Sequence, residues 1–481
     1  MELIIGMILL LPALTTAGLG LGWLVELRIS ERTIARLTGG CYSLTTGLVI
    51  VLGGWMASNR LDTVRLLIGS WFEVHTYRFP LLLQIDRLSL PLVALSVILV
   101  GVIGAFSQRY MHREGGYVRF FFLLNLFGTG VLLLFMAGSF DLMIAGWELV
   151  GLTSVLLIGF FQQRNEPVKS ALRVFLVYRV CDIGLLTGVA MLHHYVGAAT
   201  VDRVFTHPWP DGASLLTGIG ATVVGLLFLL AAMGKSAQVP FSGWLPRAME
   251  GPTPSSAIFY GALSVHAGAY LLLRSQPLIE SSALVSVAVV VVGILTAIHG
   301  TMVGRTAVDA KTSIAYASMT QLGLIFAEIG SGLKWFALLH LSGHIVVRTL
   351  QFLRAPSTLH DHHRRYSASG GESSTNGAHF ELLLPVGLRI WLYRLALERG
   401  YHDTILERAL VSPIIRVSAW LQYLENRIAI ALFGPSEHPI YHQSQPGPSV
   451  YAGARPEEPA GRVRVDQPRA AAGNGVEGTD V

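Results

Sequence analysis

The stretch LLFLLAAMGKSAQVPFSGWLPRAMEGPTP, residues 226–254, decides the reading of the chain. It opens as an apolar run, and a bilayer is spanned by about 20 mostly apolar residues. Inside that run stand Gly234, Lys235 and then Pro240. Proline lacks an N–H and breaks or kinks a helix. Backbone freed at membrane depth is tolerated only where it lines a polar cavity or the protein interior. A lysine buried beside such a break can exchange its proton. The competing reading is a lysine that snorkels to the interface from a helix end.

The rest of the chain agrees with a lipid-solvated protein. Of its 481 residues only 14% are charged and 52% are hydrophobic, whereas soluble domains carry about a quarter charged residues. The sequence predicts an all-α polytopic membrane protein with about eleven transmembrane helices. They fall near 2–25, 35–56, 87–107, 118–138, 139–161, 168–194, 215–237, 255–275, 282–304, 311–330 and 333–353. Between the second and third spans, TVRLLIGSWFEVHTYRFPLLLQID (63–86) partly alternates polar and apolar residues. That alternation predicts an extramembrane β-hairpin. The net charge of +5 is spread over loops, without the basic stripe and interleaved aromatics of a nucleic-acid surface. Cys41 and Cys181 sit in separate apolar segments, which suggests neither a disulfide framework nor a zinc site. No phosphate-binding loop, dinucleotide fingerprint or cysteine set is found, so no cofactor, no bound metal and no catalytic residue is expected, and the chain reads as a transporter subunit rather than an enzyme.

Loop charge sets the expected orientation. Arg28, Arg32 and Arg36 follow the first span, Arg109, Arg113 and Arg119 the third, Arg164 and Lys169 the fifth, Arg305 and Lys311 the ninth, and Arg354, Arg364 and Arg365 the last. The intervening loop at 138–141 has no Lys or Arg, and the one at 193–214 has a single one. The positive-inside rule then puts the N-terminus outside a cell inner membrane and the C-terminal tail in the cytoplasm. The expected division is an ion-conducting domain over 1–355, a polar Gly/Ser-rich linker over 356–379, amphipathic helices over 380–433 that dock on membrane or partner, and a disordered tail over 434–481.

Ionisable groups within spans cost about 2.5–3.5 kcal/mol each on insertion scales, so each needs a reason. Glu148 is the one charge in its span after Asp141. It reads as a proton carrier or as a carboxyl bonded to a neighbouring helix for packing. Arg179 and Asp182 are three apart and share a helix face; they neutralise each other or pair with Glu148. His340, His344 and Arg348 recur every four residues along one stripe, and histidine both accepts and donates a proton near neutral pH. A polar relay suits that stripe better than a metal site, since neither carboxylate nor cysteine is near on the helix. His266 is a lone histidine in an apolar span and reads as relay member or core residue. His360, Asp361, His362 and His363 have the residue types to hold a metal but read better as solvated linker. Acid, base and imidazole groups on several spans suit a proton or cation route better than a non-conducting anchor.

WELVGL (147–152), YRVCD (178–182), KSAQVPFSGWLPRAMEGPTPSSA (235–257), DAKTSIAYASMTQLG (309–323) and LLHLSGHIVVRTLQFL (338–353) carry a resemblance. The chain resembles the proton-conducting, antiporter-like subunits of respiratory complex I and of multi-subunit cation/proton antiporters. The resemblance implies two inverted helix bundles with broken helices. It implies that Glu148 pairs with Lys235, so that protonation of one alters the other, with Arg179 and Asp182 as partners. His340, His344 and Arg348 fall on the polar axis of the second bundle, with Arg where complex I relatives usually have Lys. Two departures stand out: Tyr260 replaces the usual His, with His266 six residues on, and no spans are expected after about residue 355. On these the chain looks closer to the membrane subunit of the DAB-type inorganic carbon transporter. That implies passage of protons or other cations in support of bicarbonate accumulation, with a large zinc-containing carbonic-anhydrase-like partner of the DabA type.

Overall fold

In the computed structural model the described residues are 1–27, 29–74, 77–307, 309–368, 385–401, 408 and 412–433. Two long helices come first, α1 (Glu2–Leu24) and α2 (Glu31–Ser58), followed by strands β1 (Thr63–Val74) and β2 (Tyr77–Asp86). Then come α3 (Ser89–Tyr110), α4 (Tyr117–Met136), α5 (Phe140–Ile158), α6 (Asn165–Val196) and α7 (Gly218–Lys235). The eighth span, α8 (Thr253–Arg274), is interrupted by a π segment at Ala257–Ala262 and a 3-10 turn at Ser264–His266. It is followed by α9 (Ala283–Gly304), α10 (Ala310–Gly330) and α11 (Lys334–Ala368). Side-chain oxygens cap three of the helix starts: Ser30 accepts from the Thr33 amide, Ser139 from Leu142 and Asp309 from Thr312.

Among the described residues ten helices are long and apolar enough to cross a membrane, so the all-α polytopic reading holds. The expected eleventh is α10. At 21 residues it matches its neighbours in length, but Gln321 and Glu328 dilute its apolar character; both turn to a histidine described below. Close helix approach rests on small residues, as it does in lipid where no hydrophobic drive separates helix from solvent. A Cβ on Gly293 of α9 would stand 2.7 Å from the Ala327 amide nitrogen of α10, and one on Gly323 would stand 2.6 Å from that of Ala297.

The hairpin forms as the alternation predicts. Its antiparallel register runs from Thr63 opposite Asp86 to Val74 opposite Tyr77, with irregularities at Leu67/Gly69 and Ser70/Phe72. Asp86 ends it as a buried hub. One carboxylate oxygen accepts from the amides of Leu88 and Ser89, starting α3, and both oxygens accept from Arg274 at the far end of α8. Arg274 also donates to the Tyr270 hydroxyl, which donates to the Phe135 carbonyl. Burial pushes the Asp86 carboxyl up, but the Arg274 charge and the hydrogen bonds around it prevail and hold it below the usual carboxylate range.

The break after α7 is satisfied internally. The indole N–H of Trp244 donates to the Gly234 carbonyl at 2.9 Å, Gln238 Nε2 to the Ser236 carbonyl, the Val239 amide to Thr296 Oγ1, and Ser236 Oγ to the Val265 carbonyl. At the chain's other end α11 continues as helix to Ala368, into the stretch expected as linker. Extending a helix adds one bond per residue, without the cost of a new nucleus. Residues 369–384 and the tail 434–481 lie outside the described residues. The expected docking segment contains α12 (Val386–Leu397), in a unit covering Met1–Ala409, and α13 (Ser412–Phe433), in a second unit covering Leu410–Val481.

Candidate functional site

Halfway along α5, Trp147 and Gly151 face the last residue of α7. Lys235 is 1% exposed there, and its ammonium has no hydrogen-bond partner among the described residues. Aromatic faces receive it instead: Nζ lies 4.2 Å from the Tyr178 ring centroid and 5.0 Å from that of Trp147. Gly151 leaves the room, since a Cβ at that position would stand 2.7 Å from Nζ. Lys235 is therefore buried rather than snorkelling.

The acidic side of the site is built on α5 and α6. Arg179 donates to Glu148 and, at 2.9 Å, to Asp182 Oδ2. Both alternatives left by the sequence are thus realised by one guanidinium. Asp182 Oδ1 accepts from the Trp147 indole at 2.6 Å. The same indole that walls the lysine is therefore fixed by the carboxylate that holds the arginine. The resemblance implies a Glu148–Lys235 pair. Here Glu148 bonds Arg179, and the fields of Asp182 and Glu148 reach Lys235 across Trp147 and Tyr178.

The histidines divide into two sets. His266 Nε2 and His344 Nδ1 are 2.7 Å apart, and Arg348 Nε stands 3.2 Å from His344 Nε2. Arginine only donates. His344 Nε2 therefore accepts, its hydrogen sits on Nδ1, and that hydrogen is directed at His266 Nε2. The lone histidine of the sequence thus joins the stripe. His340 takes other partners: Nδ1 is 2.7 Å from Glu328 Oε1 and Nε2 is 3.0 Å from Gln321 Oε1. Glu328 and Gln321 were not singled out from the sequence. Their signal was available, a carboxylate and an amide seven apart on the span facing His340. Below them, a cavity of about 640 Å³ bordered by Ser313, Ala317, Gln351 and Arg354 reaches Arg348 from the basic end of the bundle.

Residues 137–372 match the family described as NADH:quinone oxidoreductase/Mrp antiporter, transmembrane, and residues 71–121 match the N-terminus of complex I chain 5. Subunit L of the NADH-quinone oxidoreductase of Mycobacterium tuberculosis is 38% identical over 291 residues, covering 59% of this chain and 45% of that protein. Chain 5 of the Neurospora crassa NADH-ubiquinone oxidoreductase is 35% identical over 317 residues, 66% of this chain and 44% of that one. The chain thus spans about half the length of the curated relatives it matches. Among solved structures, the Mrp complex of Dietzia aligns with a TM-score of 0.59 at 26% identity, over 73% of this chain and 36% of that one. The archaeal membrane-bound sulfane sulfur reductase shares the fold, with a TM-score of 0.62 at 16% identity over 73% of this chain and 70% of that one. The relatives correct one expectation. A chain standing apart from enzymes was expected, but its relatives are by name subunits of oxidoreductases. The sequence has no dinucleotide, phosphate-loop or cluster motif, but that absence does not set the chain apart from enzymes, given the names of its relatives.

Proposed function

We propose, from the match of residues 137–372 to this antiporter-like family and from the buried Lys235 beside a divided carboxylate pair, that the chain is a proton-translocating membrane subunit of a complex I-type oxidoreductase or a multi-subunit cation/proton antiporter. The observation that carries this is the ammonium of Lys235, sealed from water and bound by aromatic faces. It can gain and lose a proton without stranding a hydrogen-bond acceptor. In this scheme Arg179 divides its charge between Glu148 and Asp182. When it moves toward Asp182, Glu148 becomes the counter-charge that favours a protonated Lys235; when it returns, the lysine releases its proton. The proton continues over His266 and His344, with Arg348 setting the direction of the His344 N–H, and the cavity at Arg348 serves as the exchange point with water at the basic end. His340, Glu328 and Gln321 form the neighbouring polar station.

Partners in the membrane are part of this reading. Arg179 is 40% and Glu148 30% exposed although both lie mid-span. A half-exposed ion pair at that depth calls for protein rather than lipid against it. The helices over 380–433 are assigned to docking, and the N-terminus to the outside.

The test uses membrane vesicles holding the native assembly. Proton uptake is followed with a pH-sensitive dye, driven by NADH or by a sodium gradient. Lys235→Ala and Glu148→Ala are expected to lower the rate at least tenfold with assembly intact; unchanged rates would reject the scheme. NADH drive identifies the respiratory assembly and sodium drive the antiporter. A second reading, support of inorganic carbon uptake with a zinc carbonic-anhydrase-like partner, draws on His266 meeting His344 at 2.7 Å in the FYGALSVH variant. It requires labelled bicarbonate uptake that an uncoupler abolishes and that depends on Lys235.

A further inference from the structure

Beyond the residues matched to the family, α12 lies against the end of α9 and closes a cleft of about 600 Å³. Arg305 borders it just past the end of α9, and Arg389 and Arg394 from α12; among the described residues no carboxylate lines it. Between the arginines the wall is apolar, formed by Met302, Leu392 and Leu397. The cleft sits where α9 ends at Gly304, level with the basic loops. On α12 itself Trp391 is 57% and Tyr393 58% exposed, as in helices that lie in a membrane interface.

We propose that this cleft binds an anionic phospholipid, its phosphate held by Arg305, Arg389 and Arg394 and an acyl chain laid along Met302, Leu392 and Leu397. Charge complementarity selects the headgroup. Three guanidiniums with no carboxylate beside them among the described residues favour phosphate, which arginine grips with two parallel donors. The apolar wall selects a lipid over a free phosphate, since a soluble anion would leave it in contact with water. The bound lipid would fasten α12 to the end of α9 and fix the approach to the segment beyond it.

The experiment takes the full chain, purified in detergent and stripped of lipid, and measures adducts by native mass spectrometry with cardiolipin, phosphatidylglycerol or phosphatidylcholine. The wild type is expected to retain the two anionic lipids and not phosphatidylcholine. A surface-bound basic residue contributes about a factor of five to anionic lipid binding, so Arg389→Gln with Arg394→Gln is expected to weaken retention about twentyfivefold. Arg305→Gln, just past the end of α9, is expected to weaken it about fivefold, which guards against misfolding of α12 in the double variant. Arg32→Gln with Arg36→Gln, at the same end but away from the cleft, should change nothing. The proposal is overturned if the two pairs weaken binding equally, if phosphatidylcholine binds as well, if excess inorganic phosphate displaces the lipid, or if all variants bind like the wild type.

Discussion

Two buried cations in this chain do opposite things, and single substitutions tell them apart. Lys235 has aromatic neighbours and no hydrogen bonds among the described residues, so Lys235→Ala orphans no acceptor. Its cation–π attraction, about 2 kcal/mol when desolvated, disappears in that variant together with the cost of burying the charge, and the two offset each other. Under the proposed function the expected result is an unchanged Tm in detergent with proton translocation lowered at least tenfold. Arg274 instead completes a saturated network on Asp86. Asp86→Ala strands that guanidinium and is expected to cost about 3–5 kcal/mol, read as a lower Tm, with translocation per folded molecule retained. Because the Asp86 carboxyl is held below its ordinary range, its stabilisation is complete above the unfolded carboxylate pKa. It is lost as pH falls through the folded value, so the wild type should lose Tm in acid and Asp86→Asn should lose less. Most of the candidate site was legible because its members announce themselves as charges inside apolar runs. Asp86 and Arg274 did not, being 188 positions apart and each at the end of an element, where a charge reads as ordinary interface. Glu328 and Gln321 were passed over because a span's polar face shows its purpose only once His340 is placed against it.

At the scale of elements, the break between α7 and α8 is the feature on which the site depends, and it was legible from Gly234, Lys235 and Pro240 alone. The groups that would satisfy the freed backbone were not, because Trp244, Thr296 and Val265 reach it only through tertiary packing. Trp244→Phe keeps the ring against Tyr178 and removes the donor to the Gly234 carbonyl. An unsatisfied buried carbonyl costs about 1–3 kcal/mol, so Tm should drop and amide exchange should rise in residues 236–243 while α1 and α2 keep their protection. Uniform exchange across the chain would show that the cap has no local role. Helix ends shifted by a few residues from expectation, and α11 ran on past 355, since sequence gives a helix's apolar length better than its last turn.

Within Met1–Ala409 the hairpin packs on α1, α3, α4 and α5, while Arg-rich loops follow α1, α3 and α5, and this arrangement makes the proposed orientation testable. Ser70→Cys in the hairpin should react with an impermeant maleimide added outside cells, and His112→Cys only after permeabilisation; the reverse pattern would invert the assigned topology. The fold class was readable from composition and span spacing. Within the C-terminal part, the described residues place α12 in the unit Met1–Ala409 and α13 in the unit Leu410–Val481, a separation that amphipathic segments do not signal, because they have no strong preference until they meet a surface. The Asp86 hub ties the hairpin to the helix ends beside it. It clamps the last residue of the hairpin to the last residue of α8, and only the helical segment Ala267–Arg274 separates that clamp from His266. The hairpin is thus linked to the histidine couple through about two turns of helix, so any shift of Asp86 has a short path through Arg274 to His266.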